Sequence, residues 1–414
     1  MSIQVKRRRI IDEIEKYLAV DDILIIHGAR QVGKTSIMMY LQSVLQENGE
    51  RTLYFDLEDS RFVNLMDKGV DEFIKYLNEN GVTRQDLEKA NKRVYIFIDE
   101  IQYLANPSSL LKLLADHHRY LKVIVSRSSS FAIKDKFSNS LVGRTLNFEI
   151  YPLSFYEFLF FKDTPLQRTE SYSSLTTDEL KNLFREYLLY GAYPKIVLTG
   201  DLATKEKYLQ QIIDTYIRKD IRDLAAIKNV DKFNHLLAVL ASQSGNLVNV
   251  GELANSCNLA RDTVENYLFL LEQTYVIKLV RPFSRNIRNE LTKMPKVFFY
   301  DTGLMQMLIF KRLQREISGS VFETGIFSEL IKEYGSQNIH YWRTQDKKEI
   351  DFILETPTGY LPIESKLQFP RSMPGVLGIF TEAYPIKKST GADCRLVALD
   401  GTPSQKGMIY PWQL

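Results

Sequence analysis

The strongest constraint on the fold is a glycine-bearing stretch of the form GxxxxGK[ST]. It comprises Gly28, Ala29, Arg30, Gln31, Val32, Gly33, Lys34 and Thr35, followed by Ser36. The apolar run before it, residues 23–26, is typical of a buried parallel strand, and residues 36–46 after it favour a helix. This order predicts a phosphate-binding loop, because glycines let consecutive N–H groups face a polyanion and the helix N-terminus adds partial positive charge.

Two side chains of this loop have expected roles. Lys34 is expected to reach the β- and γ-phosphates of a nucleotide, and the Thr35 hydroxyl is expected to ligate Mg²⁺. The alternative is a glycine turn that matches by chance. The strand before the loop and the helix after it favour the phosphate-binding interpretation.

A second apolar strand supplies two carboxylates. Residues 93–98 lead directly into Asp99 and Glu100. Asp99, at the carboxyl end of the strand, would hold the Mg²⁺ coordination shell. Glu100 would orient or activate a water for attack on the γ-phosphate. Solvated acids that merely end a strand are the alternative, but an intact Glu100 downstream of a phosphate loop favours hydrolysis over binding alone.

Composition excludes several protein classes. A chain of 414 residues allows two or three domains, and 44% apolar with 25% charged residues is ordinary for globular proteins. Cys257 and Cys394 are too few and too far apart for a disulfide framework or a thiolate metal site. No apolar run approaches membrane-spanning length, so we expect a cytosolic protein without a membrane partner. The basic cluster Lys6 to Arg9 leaves two interpretations open, a nucleic-acid contact or a solvated helix start.

The pattern of strands and helices predicts an α/β fold. Residues 52–56, 122–126 and 145–150 have strand patterns, and helical patterns separate the strands. Such alternation predicts a parallel sheet covered by helices on both faces. Ligands of these sheets bind at the carboxyl ends of the strands, where the phosphate loop, Asp99 and Ser126 should meet.

Three further residues are candidates for the nucleotide site. Ser126 and Ser128 can contact the γ-phosphate or the water, or they can simply cap a helix. Arg144 can bring a guanidinium to a phosphate in its own chain or in a neighbouring subunit, or it can form a structural ion pair. The sequence leaves these alternatives open.

The central part of the chain changes character twice. Residues 154–230 are largely helical, and we interpret them as a lid or connector. Residues 234–285 predict a winged helix, with two tightly joined helices before a β-hairpin. Its second helix would expose Arg261, Asp262, Glu265 and Asn266. Basic residues that follow are candidates to lie along a nucleic-acid backbone: Arg281, Arg285, Arg288, Lys293 and Lys296. The alternative, a winged helix that is used only for packing against protein, is also left open by the sequence.

A second acidic pattern lies near the C-terminus. Asp351 and Glu364 are on adjacent strands of a predicted hairpin, so their side chains can converge on one divalent cation. Lys366 lies on the same strand face as Glu364, where it can activate a water or stabilise charge on a phosphate. Glu323, from a predicted helix, would complete the metal shell. The pattern predicts metal-assisted phosphodiester hydrolysis, with an exposed surface ion pair as the alternative.

Several strings in this order give the chain a family resemblance. They are GARQVGKTS, IFIDEIQYL, Gly143-Arg144, PLSFYEFL, GAYP, YIRKDI, FFYDTGL, YWRT, EIDF and IESK. Together they resemble the bacterial and archaeal AAA-type P-loop ATPases that carry a C-terminal domain of unknown function. The resemblance implies an AAA-like core, a winged helix and a C-terminal restriction-endonuclease-like α/β domain similar to PD-(D/E)xK nucleases. One departure is the fourth strand, which ends Ser126-Arg127-Ser128 where such proteins usually have Gly-Ser.

The resemblance also implies site residues and ligands. It assigns the nucleotide site to Lys34, Thr35, Asp99 and Glu100, with ATP as the nucleotide. It assigns the nuclease-like positions to Glu323, Asp351, Glu364 and Lys366. A second Mg²⁺ or Mn²⁺ ion is expected at those C-terminal positions.

We therefore predict an ATPase domain at 1–153, a helical lid or connector at 154–233, a winged helix at 234–300 and a nuclease-like domain at 301–414. The expected function is Mg²⁺-dependent ATP binding and hydrolysis coupled to a DNA-associated winged helix and C-terminal domain. The alternative is an ATP-controlled switch or scaffold that binds protein partners through a silent nuclease-like domain. The sequence leaves open whether the chain is a monomer, a dimer or a ring-shaped homo-oligomer.

Overall fold

The computed structural model describes residues 6–90, 92–128, 141–164, 166, 169, 171–220, 229–284, 294–344, 346–384 and 394–414. The chain divides into two compact units, Met1–Tyr151 and Pro152–Leu414. The domain boundaries inside the second unit, at residues 233 and 300, stay predictions.

The first unit is built on a five-stranded parallel sheet. Its strands are β1 (Ile23–Gly28), β2 (Arg51–Asp56), β3 (Val94–Asp99), β4 (Leu121–Ser128) and β5 (Thr145–Ile150). The strand order is β2-β3-β4-β1-β5, and every neighbouring pair is parallel. The predicted α/β architecture with a parallel sheet is confirmed for this unit.

Helices connect these strands. They are α1 (Arg9–Glu15), α2 (Lys34–Glu47), α3 (Ser60–Asp67), α4 (Val70–Glu79), α5 (Arg84–Ala90) and α6 (Pro107–His117), with a short 3₁₀ helix at Ile101–Tyr103. Helix α6 begins where the sequence breaks the helical pattern. The Asn106 side chain accepts a hydrogen bond from the Ser109 N–H at 3.1 Å, and proline occupies the first turn, where no N–H is needed.

The register of the sheet brings the polar residues of the site to one edge. Gly28 pairs with Ser128 across β1 and β4, and Asp56 pairs with Asp99 across β2 and β3. The strands can run through the centre of the unit because their apolar side chains are buried. Their carboxyl ends therefore align, and the phosphate loop emerges beside the acidic end of β3.

The N-terminal part of the second unit is mainly helical. Its helices are α7 (Phe155–Phe161), α8 (Ser174–Tyr190), α9 (Pro194–Val197), α10 (Leu202–Ile212), a π-helix (Ile213–Asp220), α11 (Val230–Ser242), α12 (Val250–Cys257) and α13 (Arg261–Gln273). Strands β6 (Ile277–Val280) and β7 (Lys296–Phe299) follow and pair antiparallel. The predicted succession of two adjoining helices and paired strands is thus present.

The C-terminal part contains a second sheet. Its elements are α14 (Thr302–Phe310), α15 (Gly319–Tyr334), β8 (Ile339–Arg343), β9 (Glu349–Thr356), β10 (Gly359–Gln368), α16 (Gly375–Ala383), β11 (Arg395–Asp400) and β12 (Met408–Ile409), with 3₁₀ turns at Ser336–Asn338 and Pro411–Gln413. The strand order is β12-β11-β10-β9-β8. The pairs β8–β9 and β9–β10 are antiparallel, whereas β10–β11 and β11–β12 are parallel.

Throughout the described ranges, each helix is either too short or too polar to traverse a lipid bilayer.

Candidate nucleotide-binding site

The phosphate loop has the backbone geometry that its glycines predict. Gly28 has φ +151°, and a side chain there would collide with the backbone of Ile150 at the end of β5. Gly33 has φ +99° and directly precedes helix α2, which starts at Lys34. Both conformations favour glycine, and the start of α2 directs unpaired N–H groups into the loop. The loop therefore offers a backbone site for an anion.

Lys34 lies inside this loop and is only 5% exposed. Its Nζ donates to the carbonyl of Ala29 at 2.8 Å and to that of Gly28 at 3.3 Å. Burial lowers the pKa of Lys34 to about 8, while the charges of Glu100 and Asp99 oppose this shift. The ammonium is thus held by neutral carbonyls at the place where phosphate oxygens would provide stronger, charged acceptors.

Asp99 is the centre of a cluster of hydroxyl groups. The Thr35 hydroxyl donates to its Oδ2 at 2.8 Å, the Tyr54 hydroxyl donates to the same oxygen at 2.7 Å, and Ser126 donates to Oδ1. Burial and then the Asp99 charge raise the pKa of Tyr54 well above its usual value, so Tyr54 stays a donor. A carboxylate and a threonine hydroxyl in direct contact are hard oxygen donors of the kind that Mg²⁺ prefers. The structure thus brings Thr35 and Asp99 together as a set that fits the ion.

Glu100 follows Asp99 in a left-handed conformation, with φ +56° and ψ +48°. This conformation is uncommon for a residue other than glycine and is often found at functional sites. Its N–H donates to Ser126 Oγ at 2.9 Å, and its carboxylate accepts from the side-chain amide of Gln102. Gln102 also donates to Ser128 Oγ at 2.8 Å. Gln102 and the serines of β4 therefore position Glu100.

These contacts give the two serines a role that the sequence did not predict. Ser126 is fully buried and links the side chain of Asp99 to the backbone of Glu100. Both serines belong to strand β4, and the hydroxyl of Ser126 bonds Asp99 and Glu100. The residues that follow Ser128, 129–140, lie outside the described residues, so a helix cap by Ser128 stays an alternative. A direct contact of Ser126 with the γ-phosphate stays a prediction.

Arg144 directly precedes β5 and so lies at the amino-terminal end of the parallel strands, opposite the end that carries the phosphate loop. Its carbonyl accepts a hydrogen bond from the N–H of Ile23, the first residue of β1, whereas the phosphate loop starts at the last residue of β1. Ile23 and Gly28 are five residue steps apart along β1, which is about 16 Å in an extended strand. The guanidinium instead pairs with Asp116, with Nε 2.6 Å from Oδ1. The prediction that Arg144 contacts the nucleotide of its own chain is therefore wrong, and a role in a neighbouring subunit stays a prediction.

Sequence reasoning missed Arg8, Tyr54 and Gln102. Tyr54 lies near the carboxyl end of β2, beside Asp99, so its place in the sheet order was the signal that could have found it. Arg8 is buried, and its guanidinium donates to the carbonyl of Val32 in the phosphate loop at 2.9 Å and to that of Tyr151 at 3.1 Å. The basic cluster is thus partly structural, since Arg7 also pairs with Glu15 at 2.9 Å.

We predict that Arg8→Ala weakens Mg-nucleotide binding by about tenfold, because the loop carbonyl loses a charge-assisted hydrogen bond. Arg8→Lys should restore part of this affinity. The matched control is Arg7→Ala. The ion pairs of Arg7 with Asp12 and Glu15 are exposed, so they contribute little to stability and their loss should leave nucleotide affinity unchanged. Titration of a fluorescent ATP analogue measures all three, and equal affinities for the Arg8 and Arg7 alanine variants would contradict the prediction.

The lowered pKa of Lys34 predicts a pH dependence of nucleotide affinity. A bound triphosphate favours the ammonium form, so binding requires a protonated Lys34. Affinity should be constant below a pH of about 8, where Lys34 is already protonated. Above that pH it should fall by up to about tenfold per pH unit, with proton uptake on binding. Calorimetry in buffers of different ionisation enthalpy tests this, and an affinity that rises between pH 8 and 9.5 would refute it.

The C-terminal acidic residues also lie together. Asp351 Oδ2 accepts from the backbone N–H of Ser365 at 2.8 Å and from its hydroxyl at 2.7 Å. The Lys366 ammonium donates to Glu364 Oε1 at 2.6 Å. Burial and then the charge of Asp351 raise the pKa of Glu364, and the same two causes raise that of Glu323 to about 7.

This arrangement does not fit the predicted second metal ion. Within the described part of the chain, no group of three or more His, Cys, Asp or Glu side chains is placed to hold a metal. Two lysines occupy the cluster instead, since Lys296 contacts Glu323 at 3.2 Å and Lys366 contacts Glu364. Lys296 is consequently buried, and the prediction that it lies along a nucleic-acid backbone is wrong. Arg285, Arg288 and Lys293 lie outside the described residues.

Three protein families match successive parts of the chain. Residues 20–159 match the AAA domain family, residues 181–315 match a domain of unknown function (DUF8612), and residues 318–393 match another domain of unknown function (DUF4143). An uncharacterized protein of Haemophilus influenzae is 26% identical over 89% of this chain and 88% of its own length. An uncharacterized protein of Methanocaldococcus jannaschii is 26% identical over 84% of this chain and 76% of its own length.

A solved structure gives a weaker likeness. The Walker-type ATPase of Pyrococcus abyssi aligns with a TM-score of 0.47 and 14% identity, covering 73% of this chain and 95% of that one. The family match to residues 20–159 contains the complete phosphate loop and the Asp99 strand. The chain therefore contains, at residues 20–159, a domain that matches the AAA domain family.

Proposed function

We propose that this protein binds and hydrolyses ATP with Mg²⁺. The observation that carries the proposal is the contact between Thr35 and Asp99, 2.8 Å apart, beside a loop whose lysine is buried. These two residues are 64 positions apart in the chain and meet only because β1 and β3 end at the same edge of the sheet. ATP is chosen over other nucleotides because residues 20–159 match the AAA domain family.

Each residue of the site has a separate role in this proposal. Lys34 and the loop N–H groups bind the β- and γ-phosphates and neutralise their charge. Thr35 and Asp99 would hold the magnesium ion, which would supply charge stabilisation to the phosphates when bound. Glu100 orients a water and takes its proton once Gln102 releases the carboxylate. Ser126 and Tyr54 keep Asp99 in place by donating to its two oxygens.

The direct test is phosphate release from ATP by the purified full chain. Turnover should require Mg²⁺, stop on addition of EDTA and resume when Mg²⁺ is restored in excess. Calorimetry with a slowly hydrolysed ATP analogue should show one site per chain. A chain that neither releases phosphate nor binds the Mg-analogue would refute the proposal.

A second candidate function is an ATP-controlled switch that binds a protein partner and does not cut DNA. The burial of Lys296 favours this alternative, because it removes one basic residue from the predicted DNA-binding series. Helix α13 exposes Asp262 and Glu265 as well as Arg261, so its surface is of mixed charge. Such a surface suits a protein partner better than a phosphate backbone.

In the first proposal, the ATPase also associates with DNA through the predicted winged helix and nuclease-like domain. One experiment separates this DNA-associated ATPase from the switch that binds a protein partner. Fluorescence anisotropy of duplex DNA with the full chain, with and without Mg-ATP, should show salt-dependent binding if DNA is the partner. Arg261→Glu should then weaken binding, whereas Arg84→Glu in the other unit should not. Absence of binding at 50 mM salt would favour the switch.

A further inference from the structure

The acidic cluster of the second unit contains a lysine from another element. Lys296 opens strand β7 and is 2% exposed. Its Nζ lies 2.6 Å from Glu349 Oε1, at the start of β9, and 3.2 Å from Glu323 Oε1, on helix α15. It also lies 5.7 Å from the centre of the Tyr341 ring, within cation–π range. One ammonium thus joins three elements of the C-terminal part to the β6–β7 pair.

The charges of the cluster are nearly balanced by the protein itself. The acids are Glu323, Glu349, Asp351 and Glu364, and the cations are Lys296, Arg343 and Lys366. The Lys296 ammonium lies between two of these carboxylates, those of Glu323 and Glu349. A buried carboxylate needs such a partner or a metal ion to remain ionised.

The backbone also limits the space around Glu323. Gly245 has φ +88°, and a Cβ at this position would lie 2.8 Å from Glu323 Oε2. The Gly245 N–H donates to the carbonyl of Val297 at 2.8 Å, and Ser244 shares a hydrogen bond of 2.8 Å with Thr324. The turn at residues 244–245 is thus fixed against both β7 and α15. The turn therefore lies against one side of the Glu323 carboxylate.

We infer that the Lys296 ammonium is the built-in cation of this acidic cluster and takes the place of a divalent metal ion. The cluster then joins the β6–β7 pair to the C-terminal sheet, and the protein performs no metal-dependent cutting there. The inference is independent of ATP hydrolysis by the first unit. Glu364 Oε2 is buried and lacks a hydrogen-bond partner among the described residues, so the test must also report on that side of the cluster.

Mn²⁺ binding to the full chain without nucleotide tests this inference, with electron paramagnetic resonance reporting free Mn²⁺. Wild type should show no stoichiometric site that Asp351→Asn removes, so Mn²⁺ held at Thr35 and Asp99 is not counted. Lys296→Met removes the cation and should create a site that binds Mn²⁺ about tenfold or more tightly than wild type. Adding Glu364→Gln to Lys296→Met should weaken that new site if Glu364 contributes to it.

The matched control is Lys278→Met on the neighbouring strand β6, where Lys278 pairs with Glu272 at 2.8 Å. This variant should behave like wild type. Thermal unfolding followed by circular dichroism shows whether each variant is folded. If Lys296→Met does not fold, wild type and Asp351→Asn still decide the matter. Stoichiometric Mn²⁺ binding by wild type that Asp351→Asn abolishes would overturn the inference, whereas no binding by either would support it.

Discussion

Glu100→Gln is expected to keep Mg-ATP bound and to lower turnover by about 10²- to 10⁴-fold, the usual contribution of a general base. The amide has nearly the shape of the carboxylate, but it cannot accept the proton of the attacking water. The fold should tolerate the change, because the side chain of Glu100 accepts a hydrogen bond from Gln102, which the amide oxygen of a glutamine can also accept. Phosphate release at saturating ATP measures turnover, and calorimetry measures the affinity that should remain.

Glu88→Gln is the control for this experiment. Glu88 lies in the same unit on helix α5 and forms an exposed pair with Arg84 at 2.7 Å. Its replacement should leave turnover unchanged, since exposed ion pairs contribute little. A Glu100→Gln variant that hydrolyses ATP at the wild-type rate would exclude Glu100 as the base and leave the proton transfer to another group.

Lys34→Met should weaken Mg-ATP binding by about 10²- to 10³-fold, because the phosphates lose a buried cationic partner. Thermal stability should not fall, because burial disfavours the charged Lys34 and methionine fills similar space without a charge. The stabilisation of wild type by ATP, seen as a rise in Tm, should disappear in the variant. A variant that stays folded but whose Tm no longer rises with ATP would show that Lys34 binds the nucleotide.

A second buried lysine provides the contrast. Lys122 on β4 also has its pKa lowered by burial to about 8, but its Nζ donates to the carbonyls of Val20 and Asp22, away from the loop. Lys122→Met should leave the nucleotide affinity of the folded protein unchanged, because the Lys122 ammonium contacts carbonyls outside the loop. Equal affinities of Lys34→Met and wild type would show that the loop does not bind phosphate through this lysine.

Much of the first unit follows from the sequence alone. Strands β1, β3 and β4 are short apolar runs, and buried parallel strands have that pattern. The meeting of Thr35 and Asp99 could be predicted, because each residue lies at a strand end that the α/β topology aligns. The place of Tyr54 beside β3 follows from the sheet order. The hydrogen bonds of Tyr54 to Asp99 and of Gln102 to Glu100 could not be predicted, since side-chain direction depends on packing that the pattern does not contain.

Long-range contacts explain the errors. Arg144 follows a glycine and seemed suited to reach a phosphate, but it precedes a parallel strand, so it starts at the edge opposite the loop. Lys296 belongs to a basic series in sequence, yet the fold places it between carboxylates from α15 and β9. Charge patterns along a chain show which residues are charged, whereas the partner of each charge is fixed by tertiary packing.

The close approach of Gly28 to Ile150 has a consequence for how ATP can be sensed. Ile150 ends β5, one residue before Tyr151, whose carbonyl also accepts from Arg8, and Arg8 in turn holds the loop carbonyl of Val32. The chain leaves the first unit at this point. A displacement of the loop on entry of a triphosphate would therefore act first on Ile150 and Tyr151, the last residues of the first unit.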